Sequence, residues 1–146
     1  MRWIKGFLFS LLLLQVVLPT HAGDSPAKPS KAPAHKVIFQ VTDDDAQKWY
    51  LTLSNAKNVQ QALGKENVQI EVLAYGPGLN MVVLETEMAN EIDEAVGRGV
   101  KIIACENTMI GRHLTHADMY PSISYVKTGV LQLMKRQRQG WAYVRP

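Results

Sequence analysis

The residues best suited to chemistry lie in the stretch Gly99-Val-Lys-Ile-Ile-Ala-Cys-Glu-Asn-Thr-Met109, where a β-branched run ends on Cys105, the single cysteine of the 146-residue chain. A strand that runs straight into a helix start offers unpaired backbone N–H groups and the positive end of a helix dipole. Both favour a thiolate over a thiol, and a thiolate is the form that attacks a sulfane sulfur or a disulfide. Asn107 and Thr108 can donate hydrogen bonds to such a sulfur, whereas Glu106 opposes the thiolate by charge repulsion. Three readings are open to a lone cysteine: an inert packed residue, a link to another chain, or a free reactive thiol.

Other groups carry weaker signals. Asp43, Asp44 and Asp45 after a first strand have the makings of an oxygen-ligand cation pocket, but a helix cap and dipole complement explain them as well. Gly76-Pro-Gly78 has the Gly-x-Gly start of a phosphate loop yet lacks a third glycine and places a proline where a donor is wanted, so it reads as a turn walling the cysteine. His113 and His116, with Cys105 and Asp118, can be drawn as a metal site, but Cys-x7-His-x2-His matches no strong zinc spacing. No metal and no cofactor are expected. Trp49, Trp141 and Tyr143 read as core or interface residues.

The elements that must position these groups are set by periodicity. Lys36 to Val41 reads as a buried strand, and Trp49, Leu53, Ala56, Val59 and Leu63 form a helix face that Gly64 closes. Val68 to Tyr75 is a second strand, followed by the Gly-Pro-Gly turn and a helix ending in Met88, Ile92 and Ala95. The cysteine strand comes third, with a helical stretch to about Leu114. Thr115-x-x-Asp118 has capping-box spacing. Ile123 to Val126 is a brief strand, Thr128 caps a helix over 129–139 with the face Val130, Leu133, Met134 and Gln137, and Trp141 to Val144 is a last strand. Continuous apolar strands alternating with helices predict an α/β fold with a mostly parallel sheet and helices on both faces. Ligands in such folds sit beyond the carboxyl ends of the strands. Asp43 to Asp45, Tyr75 to Asn80 and Cys105 to Met109 converge there.

The ends and the charge bound the function class. Arg2 and Lys5 before an apolar run from Phe7 to Leu18, closed by Pro19-Thr-His-Ala22, read as an export signal over residues 1–22. A Pro/Ala/Lys-rich tether comes next over 23–35, and the domain spans 36–146. Of the 16 basic and 13 acidic residues, four bases and one acid precede Lys36, so the domain carries 12 of each. The sequence pI of about 9.0 is therefore no argument for nucleic-acid binding. The expected location is the periplasm, with no membrane contact after signal cleavage.

Lys36-Val-Ile-Phe-Gln-Val-Thr-Asp-Asp-Asp45, Asn55-Ala-Lys-Asn-Val59, Ala74-Tyr-Gly-Pro-Gly78, Ala104-Cys-Glu-Asn-Thr-Met109 and Gly140-Trp-Ala-Tyr143 resemble the DsrE/DsrF-like family in its exported, largely uncharacterised branch. The resemblance implies a three-layer α/β/α domain with a five-stranded, mostly parallel sheet that assembles into homotrimers or hexamers. In the family's sulfur-relay members a cysteine after the third strand carries sulfur as a persulfide, and Cys105 stands at that place. The resemblance thus implies a sulfur carrier or sulfurtransferase whose pocket is shaped by Asp43, Tyr75, Gly76, Pro77, Gly78, Asn80, Glu106, Asn107 and Thr108. Its partners would be a small sulfur donor and an acceptor protein. The competing expectation is a non-catalytic oligomer that binds a small ligand in the same cleft.

Overall fold

The computed structural model describes Pro33 and residues 35–146; the expected export signal, and the tether apart from Pro33 and His35, lie outside the described residues. The chain builds β1 (His35–Val41), α1 (Ala46–Leu63), β2 (Val68–Ala74), α2 (Ala89–Gly97), β3 (Lys101–Cys105), α3 (Glu106–Gly111), β4 (Ser124–Val126), α4 (Gly129–Arg138) and β5 (Ala142–Val144). All pairings are parallel and the strand order is β4-β3-β2-β1-β5. This is an α/β fold with a five-stranded parallel sheet. β1 begins at His35, one residue before the expected start. Among the described residues no helix is long and apolar enough to cross a membrane.

Strand order dictates the layers. β1, β2, β3 and β4 advance across the sheet in one direction, and right-handed crossovers then put every intervening helix on one face. Trp49, Leu53 and Ala56 of α1, Ile92 and Ala95 of α2 and Met109 of α3 accordingly pack with Val37, Phe39, Val41, Ile70, Val72, Ala74, Ile102 and Ala104. The chain returns from β4 to β5 in the opposite direction, so α4 crosses the other face, where Leu133 and Trp141 cover Ile38, Leu73 and Ile103. Four strand spacings separate β4 from β5, about 19 Å, and the ten residues of α4 extend about 15 Å. One helix therefore suffices as the third layer.

Caps and breaks obey the local chemistry with four differences. The Asp45 carboxylate accepts from the backbone N–H groups of Gln47 and Lys48, and Gly64, at φ 83°, closes α1. The Gly76-Pro-Gly78 segment is not a simple turn: it opens a 3-10 helix, Gly76–Val82. α3 stops at Gly111, short of Leu114. Thr128 stands at the N-cap of α4 without capping it. Finally, α4 buries Gly129 and Leu133, with Gln132 and Arg136 half-buried beside them, and leaves Val130, Leu131 and Met134 exposed.

This last difference is a rotation of the expected face by one residue, and its cause is Glu71. Its carboxylate stands fully buried on β2 beneath α4. Arg136 donates from Nε at 2.8 Å and from Nη2 at 2.5 Å, and Gln132 Nε2 donates at 2.9 Å. The guanidinium also lies 4.5 Å from the Trp141 ring centre. A buried carboxylate without partners costs several kcal/mol, on the order of what turning Val130 and Met134 inward would recover together. The helix therefore settles on the polar pair.

Arg136→Ala should lower unfolding stability in urea by about 3–5 kcal/mol, because it strands Glu71. Replacing both partners by apolar residues, Glu71→Met with Arg136→Leu, should recover most of that loss. A cost under about 1 kcal/mol for Arg136→Ala would mean that the pair does not seat α4.

Candidate functional site

Strand connections diverge at one place in the sheet. β3 feeds α3 on the first face, its neighbour β4 feeds α4 on the second, and a crevice between such strands is where parallel α/β sheets hold ligands. Cys105 and Val126, the last residues of β3 and β4, are register partners at that crevice. By strand alternation from Ile103, the Cys105 side chain lies on the α4 face.

The sulfur is held from both sides. The Gly129 backbone N–H donates to Sγ at 3.2 Å, and the thiol donates to the Lys127 carbonyl at 3.9 Å. The helix start that serves Cys105 is thus that of α4, 24 residues on, and not the expected start of α3, which draws no side-chain cap from Cys105. A Cβ at Gly129 would stand 3.2 Å from the Tyr75 ring, so a side chain there requires that ring to give by a few tenths of an ångström. Burial raises the Tyr75 phenol above its ordinary pKa; negative charge on Tyr143 and Cys105 adds to this and Arg145 opposes it. The Tyr75 ring thus stands against Gly129, whose N–H meets the sulfur.

The two loops are also joined to each other directly. The Asn107 N–H donates to the Lys127 carbonyl at 3.1 Å, and Asn107 Nδ2 donates to Thr128 Oγ1 at 3.1 Å. Cys105 is only 4 % exposed.

The remaining expected residues divide. Thr108 Oγ1 accepts from the Gly76 N–H at 3.1 Å. With Gly76, Pro77, Asn80, Gly111 and Arg112 it lines an open cleft of about 480 Å³, in which Arg112 Nη2 donates to Asn80 Oδ1 at 2.6 Å and Asn80 Nδ2 to Asp44 Oδ2 at 2.8 Å. Cys105 does not line this cleft. A larger cavity, about 610 Å³ between α1 and β5 and lined by Phe39, Val59, Leu63 and Val144 among others, contains none of the expected site residues.

Asp43 and Glu106 turn elsewhere. Asp43 pairs with Lys48 at 3.1 Å and Arg145 at 3.4 Å, and the Lys48 hydrogen bond leads the effects that hold its carboxyl below the usual value. Glu106 meets His116 Nε2 at 3.1 Å, and the His116 ring stacks on Tyr125 at 3.9 Å. Asp118 completes a capping box with Thr115, whose backbone and hydroxyl hydrogen bonds lower its pKa. Among the described residues no three His, Cys, Asp or Glu side chains converge as a metal site.

Sequence reasoning misses Lys127, Thr128, Gly129 and Arg112. The rule that ligands lie beyond strand ends applies equally after β4, but that three-residue strand carries too little pattern to draw attention to the loop at its end. Gly78 has a structural role: a Cβ there would stand 2.6 Å from the Val41 carbonyl oxygen. Gly78→Ala should cost about 1–3 kcal/mol. Gly111→Ala, which meets nothing within 4 Å, should be neutral or stabilising by up to about 1 kcal/mol. Thermal midpoints of the two variants check the contrast.

No family model and no curated protein matches the chain. Several solved structures share its fold. The ychN protein from E. coli aligns with TM-score 0.59 at 8% identity, over 77% of this chain and 98% of that one. BT1422 from Bacteroides thetaiotaomicron, a conserved protein of unknown function, aligns with TM-score 0.63 at 18% identity, over 76% and 94%. MTH1491 from Methanobacterium thermoautotrophicum, also of unknown function, aligns with TM-score 0.73 at 34% identity, over 77% and 99%. By that identity across nearly all of MTH1491, the chain belongs to the same family as MTH1491, with a fold of the DsrE/YchN-like type.

Proposed function

We propose that this protein is an exported, periplasmic sulfur carrier or sulfurtransferase of the DsrE/DsrF-like family, working as a homo-oligomer through Cys105. The observation that carries the reading is the position of Sγ: at the switch-point crevice, accepting a hydrogen bond from the first N–H of α4. That N–H is placed to donate to the sulfur of a thiolate or a persulfide. The thiol gives up its proton to a base in the solvent. The thiolate then attacks the outer sulfur of a sulfane donor such as thiosulfate. A new S–S bond forms to Cys105 while the donor's S–S bond breaks, and sulfite departs with that electron pair. An acceptor thiolate later attacks the outer sulfur of the persulfide and releases the Cys105 thiolate.

The second reading is a non-catalytic oligomer that binds a small ligand in the 480 Å³ cleft at the strand ends. The burial of Cys105, 4 % exposed and absent from the lining of that cleft, favours a reading without cysteine chemistry.

Incubation of the purified protein with thiosulfate or polysulfide should add sulfur mass that a thiol reductant removes. The adduct should be absent from Cys105→Ser. A Cys105 that takes up no sulfur and resists alkylation in the folded protein leaves the second reading in place.

A further inference from the structure

Cys105 is buried, lines no described cavity, and lies where the loop after β3 meets the loop after β4. β3 and β4 pair as far as Cys105 and Val126, which sets the starts of the two loops side by side, and beyond that point the chain leaves the sheet on opposite faces. What joins them is the Asn107 N–H to the Lys127 carbonyl, the Asn107 side chain to the Thr128 hydroxyl, and the Gly129 N–H to the sulfur itself.

Thr128 holds the N-cap position, where a hydroxyl ordinarily turns inward to the first turn of its own helix. Here it forms no such cap and accepts from Asn107 instead. The other end of α4 is seated separately: Arg136 and Gln132 on Glu71, and Leu133 in the core below. The side of α4 away from the sheet exposes Val130, Leu131 and Met134, so few apolar contacts hold the first turn down. Such a segment can open locally at a small fraction of the cost of unfolding.

We propose that Asn107 and Thr128 form a latch over Cys105, and that release of residues 127–129, with the far end of α4 still anchored on Glu71, is the step that admits reagents to the sulfur. This rests on the reading of Cys105 as a working thiol and supplies its regulation: access is set by the latch.

Alkylation of the folded protein by iodoacetamide, followed by intact mass through a urea series below the unfolding midpoint, tests the latch. In the wild type the labelling rate should be nearly independent of urea at low concentration, since a local opening exposes little surface. Asn107→Ala and Thr128→Val should each label about 3- to 10-fold faster, the range one hydrogen bond supplies. The double variant should label no faster than either single one, because both remove the same bond. Labelling that tracks the full unfolding slope, or that accelerates in the variants only as far as their global stability falls, overturns the latch. So does an absence of labelling below the unfolding transition. Sulfur loading is scored separately: an adduct with latch-insensitive labelling overturns the latch and leaves the carrier reading standing, whereas latch-sensitive labelling without an adduct supports the latch and counts against the carrier.

Discussion

A carboxylate buried in the middle of a sheet constrains everything above it. Glu71 lies on β2 with its side chain fully enclosed, and the groups that neutralise it come from one helix, 61 and 65 residues further on. Because Arg136 and Gln132 must face Glu71, the rotation of α4 about its axis is set. Gly129 lies on the same stripe, two helical turns before Arg136, and is therefore turned toward the sheet as well, over the end of β3. The orientation of the donor that meets Cys105 is thus a consequence of an ion pair on the neighbouring strand, through the period of the helix.

The same constraint explains the character of the surface. A helix seated by charge leaves part of its apolar residues outside, and Val130, Leu131 and Met134 form an exposed stripe beside the crevice. Elsewhere the sheet is covered in the ordinary way, with three helices and a 3-10 helix packing apolar faces onto β1, β2 and β3. The two faces therefore differ in what holds them: hydrophobic burial on one, a polar anchor with a small apolar cluster on the other. The sulfur sits at the edge of the second, beside the start of α4.

Much of the domain is legible in the sequence because the signals are local. Asp45 caps α1, Gly64 ends it, and Thr115 and Asp118 form their box, each within a few residues of the element it serves. The buried face of α4 differs by one residue from the expected one because the apolar pattern Val130, Leu133, Met134 is a valid helical stripe taken alone. Nothing within the helix announces that Glu71 stands beneath it. Glu106 likewise reads as a charge set against the thiolate, and its partnership with His116 depends on a loop ten residues away folding back across Tyr125.

The sequence by itself determined the order of strands and helices, the Asp45 and Gly64 caps of α1 and the Thr115–Asp118 box, and the place of Cys105 at the end of a buried strand before a helix. These are properties of spacing and side-chain type along one segment, and short-range sterics and hydrogen bonding enforce them wherever the segment goes. Tertiary structure alone decided that the sulfur meets the start of α4 instead of α3, that Asn107 and Thr128 close the crevice over it, and that the open cleft belongs to Thr108, Asn80 and Arg112. Each of those outcomes depends on strand order, on right-handed crossovers that send neighbouring loops to opposite faces, and on a buried charge whose partner is 65 residues distant. No short window along the chain contains both members of such a contact.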